Sequence, residues 1–470
     1  MVEKMQILYV GSDFCSIKSL ASVLPKSLLD ADVKVDIVVP RYAGIDEGES
    51  PLALRLIDAN VNVDNRDEKI RVYEGRRDVH IRAFYLDSER LHVRPGHTTD
   101  AEIIAAAVFA HAVSQLVSKI ATRYDIVYCD GLDTALVPVI MRTGYNNVGR
   151  IAQAKIVQFL PGIADKASIN MSYINRLGIS HALASAEQME FYGKLSILKG
   201  AYIYADKLIF PNDDVETLIS NNRGKDIGME GVLFAHADKL AHVQIGVPRE
   251  HFSSSVSADN LAPKTELKIA YAKKNHLNPD AKRALVAFIG RLDDHSGIDL
   301  VNDILDDLMD RKINLVIIGE GNKQYMDAVS SWTDEFRGNV AYISKRPDCK
   351  DVNDLLSAAD VLLVPSQNES IDSIAIKAQF LGCIPVARAI GVSAASINPV
   401  KNIKKIAPDN NGFTFKNYDS DEFFDAAMDA LDVYAQKDDF KQLQAQAIAS
   451  APCLCHTAVQ LKSIFSDLLA

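Results

Sequence analysis

Tryptophan occurs once in 470 residues, as Trp332, and aromatic residues make up only 7% of the chain. One indole makes no stacking platform for a sugar polymer, and its ordinary role is packing. Positive charge is also short. Lys and Arg number 51 against 62 Asp and Glu, a formal net charge of −11. A general nucleic-acid binder needs a basic surface, and so does a protein drawn to anionic lipid. Neither partner is expected. Cysteine is sparse: Cys15, Cys129, Cys349, Cys383, Cys453 and Cys455. They are too scattered for a disulfide framework, which points to a reducing compartment. No run of about 18 apolar residues occurs, so no membrane span is expected. The first apolar stretch ends before Asp13, too early for a signal-peptide core, and reads as a strand. A cytoplasmic protein is expected.

The composition that is present, 48% hydrophobic and 24% charged, belongs to a soluble globular chain and excludes disordered and fibrous classes. The length predicts two or three domains with cores that need no metal or disulfide staple. Short apolar strands alternate with amphipathic helices. The first series is Gln6–Val10, Val33–Val39, Asp125–Cys129, Lys155–Phe159 and Lys207–Phe210. The second is Leu285–Ile289, Asn314–Ile318, Asn339–Ile343, Val361–Pro365 and Ile384–Ala387. Between them, Val301, Ile304, Leu305 and Leu308 share one helical face. Such alternation predicts parallel sheets covered by helices on both sides, here two doubly wound α/β domains. The Ser-, Asp- and Pro-rich stretch His251–Thr265 reads as the linker. Ligands of such folds sit beyond the carboxyl ends of strands, and with two domains the natural site is a central cleft.

Several stretches in the same order resemble the bacterial glycogen synthase and plant starch synthase family. Met5–Tyr42 holds MQILYVGSD, LPKSL and VDIVVPRY. Cys129–Leu136 (CDGLDTAL) lies where the family has His-Asp-Trp-Gln-Thr-Ala-Leu. Phe191–Asp206, Gly228–Leu240, Phe288–Val301 (FIGRLDDHSGIDLV), Ala359–Ser366 (ADVLLVPS), Gly382–Val386 and Asn410–Phe415 follow. The likeness spans essentially the whole chain. It implies two Rossmann-like domains of the GT-B glycosyltransferase architecture. Residues 1–250 would form the acceptor side, 251–450 the nucleotide-sugar side, and 451–470 a helix crossing back to the N-terminal domain. It also implies metal-free, retaining transfer of glucose from ADP-glucose to an α-1,4-glucan, with no cofactor. As the diphosphate leaves it gains negative charge, so cations and helix N-terminal amides must face it.

The departures from the family fall on the positions that would do this. Its Lys-x-Gly-Gly-Leu-Gly loop is the shorter, glycine-free Phe14–Val23, with Lys18 as the nearest lysine. The family's catalytic-domain His is Asp130, and its Asp, Trp and Gln are Gly131, Leu132 and Asp133. The His of Thr-Val-His-Asn is Gln158, and the Asn-Gly-Ile-Asp turn is Ile245-Gly246-Val247-Pro248. Arg-Leu-x-x-Gln-Lys-Gly becomes Arg291-Leu292-Asp293-Asp294-His295-Ser296-Gly297, which keeps the Arg and loses the Lys to Ser296. Loss of one such charge contact costs on the order of 10²–10³ in rate. Glu369 keeps the family's acidic position, but the phosphate-side Gly is Asp372. Thr-Gly-Gly-Leu-Ala-Asp becomes Ala389-Ile390-Gly391-Val392-Ser393-Ala394. The degenerate catalytic positions are thus Asp130 and Glu369. The nucleotide-sugar positions are Lys18, Arg291, Ser296, Asp372 and Gly391.

Each has a plainer alternative. Arg291 could pair Asp293 or Asp294, Glu369 could cap the helix that follows it, and Lys18 could be a solvated helix residue. Asp130 could be a rewired acid or base. Asp293-Asp294-His295 reads as a solvated loop, not a metal site. Cys453-Leu454-Cys455-His456 lacks a second ligand pair for zinc and reads as two partly buried thiols. The expectation is a pseudoenzyme that binds, scaffolds or regulates a protein partner. An active transferase with an altered donor or acceptor, or a binder of glucan alone, are the alternatives.

Overall fold

In the computed structural model, which describes residues 4–12, 20–42, 51–144, 153–160, 167–211, 229–248, 255–367 and 374–470, alternating side chains sort onto two sheet faces. The chain forms two units: Met1–Val243 with Cys455–Ala470, and Gln244–Leu454.

The first unit is built on strands β1 (Gln6–Val10), β2 (Lys34–Pro40), β3 (Ala53–Val63), β4 (Arg66–Asp78), β5 (Ile81–Asp87), β6 (Ile126–Asp130) and β7 (Lys155–Phe159). A small sheet of β8 (Ser168–Asn170), β9 (Glu190–Phe191) and β10 (Lys194–Ser196) comes next, then β11 (Lys207–Pro211) and β12 (Leu240–Val243). The main sheet has nine strands in the order β12-β11-β7-β6-β1-β2-β5-β4-β3. All are parallel as far as β5, and the β3–β4–β5 edge is antiparallel. On β1, Leu8 and Val10 join the large core under the helix Asp100–Lys119. Tyr9 points to the other face and packs against Tyr128 with the rings tilted by 31° and their centroids 5.1 Å apart. There Phe465, from the helix Leu454–Leu469, meets Tyr128 edge-on at 5.9 Å. Helices on both faces explain why these strands are apolar throughout.

Asp100–Lys119 is long and apolar enough to cross a bilayer by length and composition alone, although no uninterrupted apolar run marks it in the sequence. Its apolar residues, among them Ile104, Val108, Phe109 and Val113, are packed inside the first core. A helix apolar on nearly all sides belongs in such a place. Thr99 caps it reciprocally with Glu102: Thr99 Oγ1 accepts from Glu102 N, and Glu102 Oε2 accepts from Thr99 N.

The second unit holds β13 (Leu285–Ile289), β14 (Asn314–Ile318), β15 (Val340–Ile343), β16 (Val361–Val364), β17 (Ile384–Arg388) and β18 (Phe413–Phe415). They form one parallel sheet in the order β15-β14-β13-β16-β17-β18. Val286, Phe288, Leu315 and Ile317 face one core, which also contains the buried Trp332 and the Val301, Ile304, Leu305 and Leu308 face. Leu285, Ala287, Val316 and Ile318 face the other. The expected linker is shorter than the sequence suggested, because Ala262–Lys274 is a helix with Pro in its first turn. Proline there forfeits no helical hydrogen bond and so marks a start. That helix buries two lysines. Lys268 pairs with Asp360 at 2.9 Å, and Lys264 Nζ donates to the carbonyls of Leu356, Ser357 and Leu381.

Candidate functional site

Parallel pairing brings the carboxyl ends of β1, β6 and β7 side by side in the first unit. Asp130 ends β6, and its Oδ2 accepts the Tyr9 hydroxyl at 2.5 Å. Burial, and next the Asp130 carboxylate, push the Tyr9 phenol well up, so it stays a donor at neutral pH. Gly131 then turns the chain with φ 81, a left-handed conformation that suits glycine. Its carbonyl accepts from Gln158 Nε2 at 2.8 Å and from Thr134 Oγ1 at 2.9 Å. Gln158, fully buried, also donates to the Phe159 carbonyl. Gln158 is thus an amide that holds a backbone turn.

Asp133 gathers a cluster that the sequence did not reveal. Ser12 Oγ donates to it at 2.8 Å, an Arg94 guanidinium nitrogen lies 3.4 Å away, and His97 Nδ1 lies 3.8 Å away. Arg94 and His97 sit in the turn Arg94-Pro95-Gly96-His97, whose only local signal is its Pro-Gly pair. Ser12 and Asp133 are 121 positions apart. Only the β1–β6 pairing makes them neighbours.

In the second unit the loop after β13 carries Arg291 and Ser296. Arg291 is 76% exposed and its Nε is 3.3 Å from Asp293 Oδ2, so of its two candidate acids it pairs Asp293. Ser296 Oγ donates to the Asp293 carbonyl at 2.8 Å, which turns the hydroxyl into its own loop. Gly297 follows with φ 79, and a Cβ there would lie 2.3 Å from the Pro365 carbonyl oxygen. The loop therefore sits directly on the end of β16. His295 Nδ1 pairs with Gln367 Oε1 at 2.8 Å, and an Arg388 nitrogen donates to the Gln367 carbonyl at 2.7 Å. Those bonds tie the Ser296 loop to the end of β17, beyond which Gly391, φ 47, opens the short helix Gly391–Ser396. Asp294 is exposed, as a solvated loop position should be, and also carries a hydrogen bond. It accepts from the Tyr325 hydroxyl at 2.7 Å, a bond that pushes the phenol up to about 12. Lys18, Glu369 and Asp372 lie outside the described residues.

One group of potential metal ligands is drawn together among the described residues: Cys453, Cys455 and His456, with ligand atoms within 4.8 Å of one another. The expectation of two free thiols there is corrected, because Cys453 and Cys455 are joined in a disulfide. One intervening residue gives a loop just long enough for the two sulfurs to meet. Cys129 and Cys383 are free and buried.

Residues 17–233 match the starch synthase catalytic domain, and residues 271–446 match the glycosyl transferases group 1 family. A glycogen synthase of Thermosipho melanesiensis is 25% identical over 451 residues, covering 92% of this chain and 91% of the relative. One from Thermotoga maritima is 24% identical over 494 residues and covers 99% of both chains. Among solved structures, the catalytic domain of starch synthase IV from Arabidopsis thaliana, bound to ADP and acarbose, superposes with a TM-score of 0.87. It is 17% identical, with 99% of this chain and 100% of that chain covered. Sucrose-phosphate synthase from Thermosynechococcus elongatus superposes at 0.61 with 14% identity, covering 99% of each chain. Two parallel-sheet units and these likenesses give the chain the GT-B architecture of two-domain glycosyltransferases. Within that class the chain is similar to the glycogen and starch synthases, its first half through the starch synthase catalytic domain and its whole length through the glycogen synthases above.

Proposed function

We propose that this family member has an inactive or strongly impaired transfer centre and acts as a binding, scaffolding or regulatory protein. The loop Arg291–Gly297 carries the reading. Departure of a nucleoside diphosphate requires fixed positive charge where the negative charge develops. Here Ser296 stands at the family's Lys position and spends its hydroxyl on its own turn, while Arg291 is engaged by Asp293. Asp293 adds negative charge within the same loop, and the sequence carries an acid, Asp372, at the family's glycine position. A like charge facing a diphosphate costs roughly 1–4 kcal/mol where water is scarce. A nucleotide sugar or glucan is at most a weak ligand here, although one structural neighbour is solved with ADP and acarbose and another with UDP-glucose. A protein partner in the cytoplasm is the expected associate.

Calorimetric titration with ADP and ADP-glucose, beside an active glycogen synthase, tests this. No heat and no thermal stabilisation at millimolar ligand is the expected result. Micromolar binding followed by sugar transfer would overturn it. Ser296→Lys combined with Asp372→Gly should then create measurable ADP binding, because it restores a cation and removes an acid. The second reading, an active transferase with another donor or acceptor, draws on the solvent-facing Arg291 and on the Ser12, Arg94, His97 and Asp133 cluster. Turnover with a panel of nucleotide sugars and no added substitution would establish it.

A further inference from the structure

The segment Pro452-Cys453-Leu454-Cys455-His456 precedes and opens the helix Leu454–Leu469. Its two cysteines are bonded to each other, and the His456 ring nitrogen is within 4.8 Å of both sulfurs. The two sulfurs differ in access. Cys453 is 3% exposed, whereas Cys455 and His456 face solvent.

The bond is a poor staple. A crosslink stabilises mainly by closing a long loop of the unfolded chain, and this one encloses a single residue. The backbone around it is already held. Val247 N donates to the Pro452 carbonyl, and Leu454 N donates to the Val247 carbonyl, both at 3.0 Å. Gly246 approaches so closely that a Cβ there would lie 2.2 Å from the Cys453 carbonyl. An exposed, short-range disulfide with little structural task is the kind that exchanges with thiols.

We propose that Cys453 and Cys455 form a reversible thiol–disulfide site that exchanges with a small-molecule thiol such as glutathione. In reduction, a thiolate attacks the exposed Cys455 Sγ, forming a mixed disulfide there and expelling Cys453 as a thiolate, which takes up a proton. A second thiol then attacks the small-molecule sulfur of that mixed disulfide. Cys455 is released as a thiol, and the small molecule leaves as its own disulfide. Two electrons and two protons pass to the protein, and oxidation runs the same steps backwards. Cys455 is the exchanging sulfur and Cys453 the resolving one, with His456 beside both to relay the proton. Opening the pair removes the side-chain link that bridges Leu454, at the start of the last helix.

The test equilibrates the full chain in glutathione buffers of graded reduced-to-oxidised ratio, quenches with acid, alkylates, and reads the Cys453–Cys455 peptide by mass spectrometry. The pair should pass from unalkylated to doubly alkylated as one two-electron couple. Cys453→Ser should collect glutathione on Cys455 at least about tenfold more than Cys455→Ser collects it on Cys453, because access sets the attacked sulfur. The proposal fails if the two variants load equally. It also fails if the unsubstituted, still folded protein stays locked in one state across the whole series. A zinc ion that stays bound to the reduced protein through gel filtration and blocks reoxidation would overturn it as well.

Discussion

Gln158 illustrates what a single buried amide contributes. Its amide nitrogen sits among the Gly131, Phe159 and Cys129 carbonyls, while its Oε1 is buried with no hydrogen-bond partner among the described residues. Gln158→Leu removes the donor and that unpartnered acceptor together. The Gly131 carbonyl keeps its Thr134 hydroxyl. The net loss should therefore be about 1–2 kcal/mol, with Gln158→Ala costing more through the cavity it leaves. Urea unfolding of both variants measures this, and a larger loss for Leu than for Ala would contradict it. Residues of this kind mark the limit of reading a sequence. Asp130, Arg291 and Ser296 can be singled out in the sequence because they stand in short local motifs. Tyr9, Ser12, Arg94 and His97 are not, since their partners are brought in by sheet pairing from distant segments and nothing nearby in the chain signals them.

Among elements, legibility follows burial. Strands covered on both faces are continuous apolar runs, and their bounds lie within a residue of those expected at Gln6–Val10, Lys155–Phe159, Leu285–Ile289 and Asn314–Ile318. The β3–β4 edge is not legible because charged residues line its open face, as in Arg66–Asp78 with alternating exposed and buried positions, whereas β5 is buried almost throughout and is the exception to this rule. β12 and β18 are short edge strands with little apolar length to announce them. The helix Ala262–Lys274 also makes a pH-dependent contribution. Burial pushes the Lys264 ammonium down from 10.5 to about 8. Below that pH the side chain is protonated in both folded and unfolded chains, and the burial penalty is fully felt. As pH rises from 8 towards 10.5 the folded chain releases its proton first. The unfolded chain then holds more protons, so stability rises with pH. Relative to Lys264→Met, the parent should gain about 2–3 kcal/mol between pH 7 and pH 10. Urea midpoints at the two pH values read it, and a pH-independent difference would show that this lysine does not titrate there.

For the whole molecule, the first unit depends on a segment far away in the chain. Leu461 and Phe465 are fully buried, and Lys462 Nζ donates to the Ala31 carbonyl at 2.8 Å. Phe465→Ala should destabilise by about 3–5 kcal/mol, the usual cost of emptying a large aromatic site. Hydrogen exchange would locate the loss in β1 and β6. Equal acceleration in β13 and β14 would mean the two units unfold as one.

That dependence also orders events during translation. The ribosome must synthesise all of Gln244–Leu454 before it reaches the residues that complete the unit begun at the N-terminus. The second unit can close while nascent, but the first waits with the Tyr9 and Tyr128 face uncovered. A chaperone binding that apolar face during synthesis would be released by the arrival of Phe465.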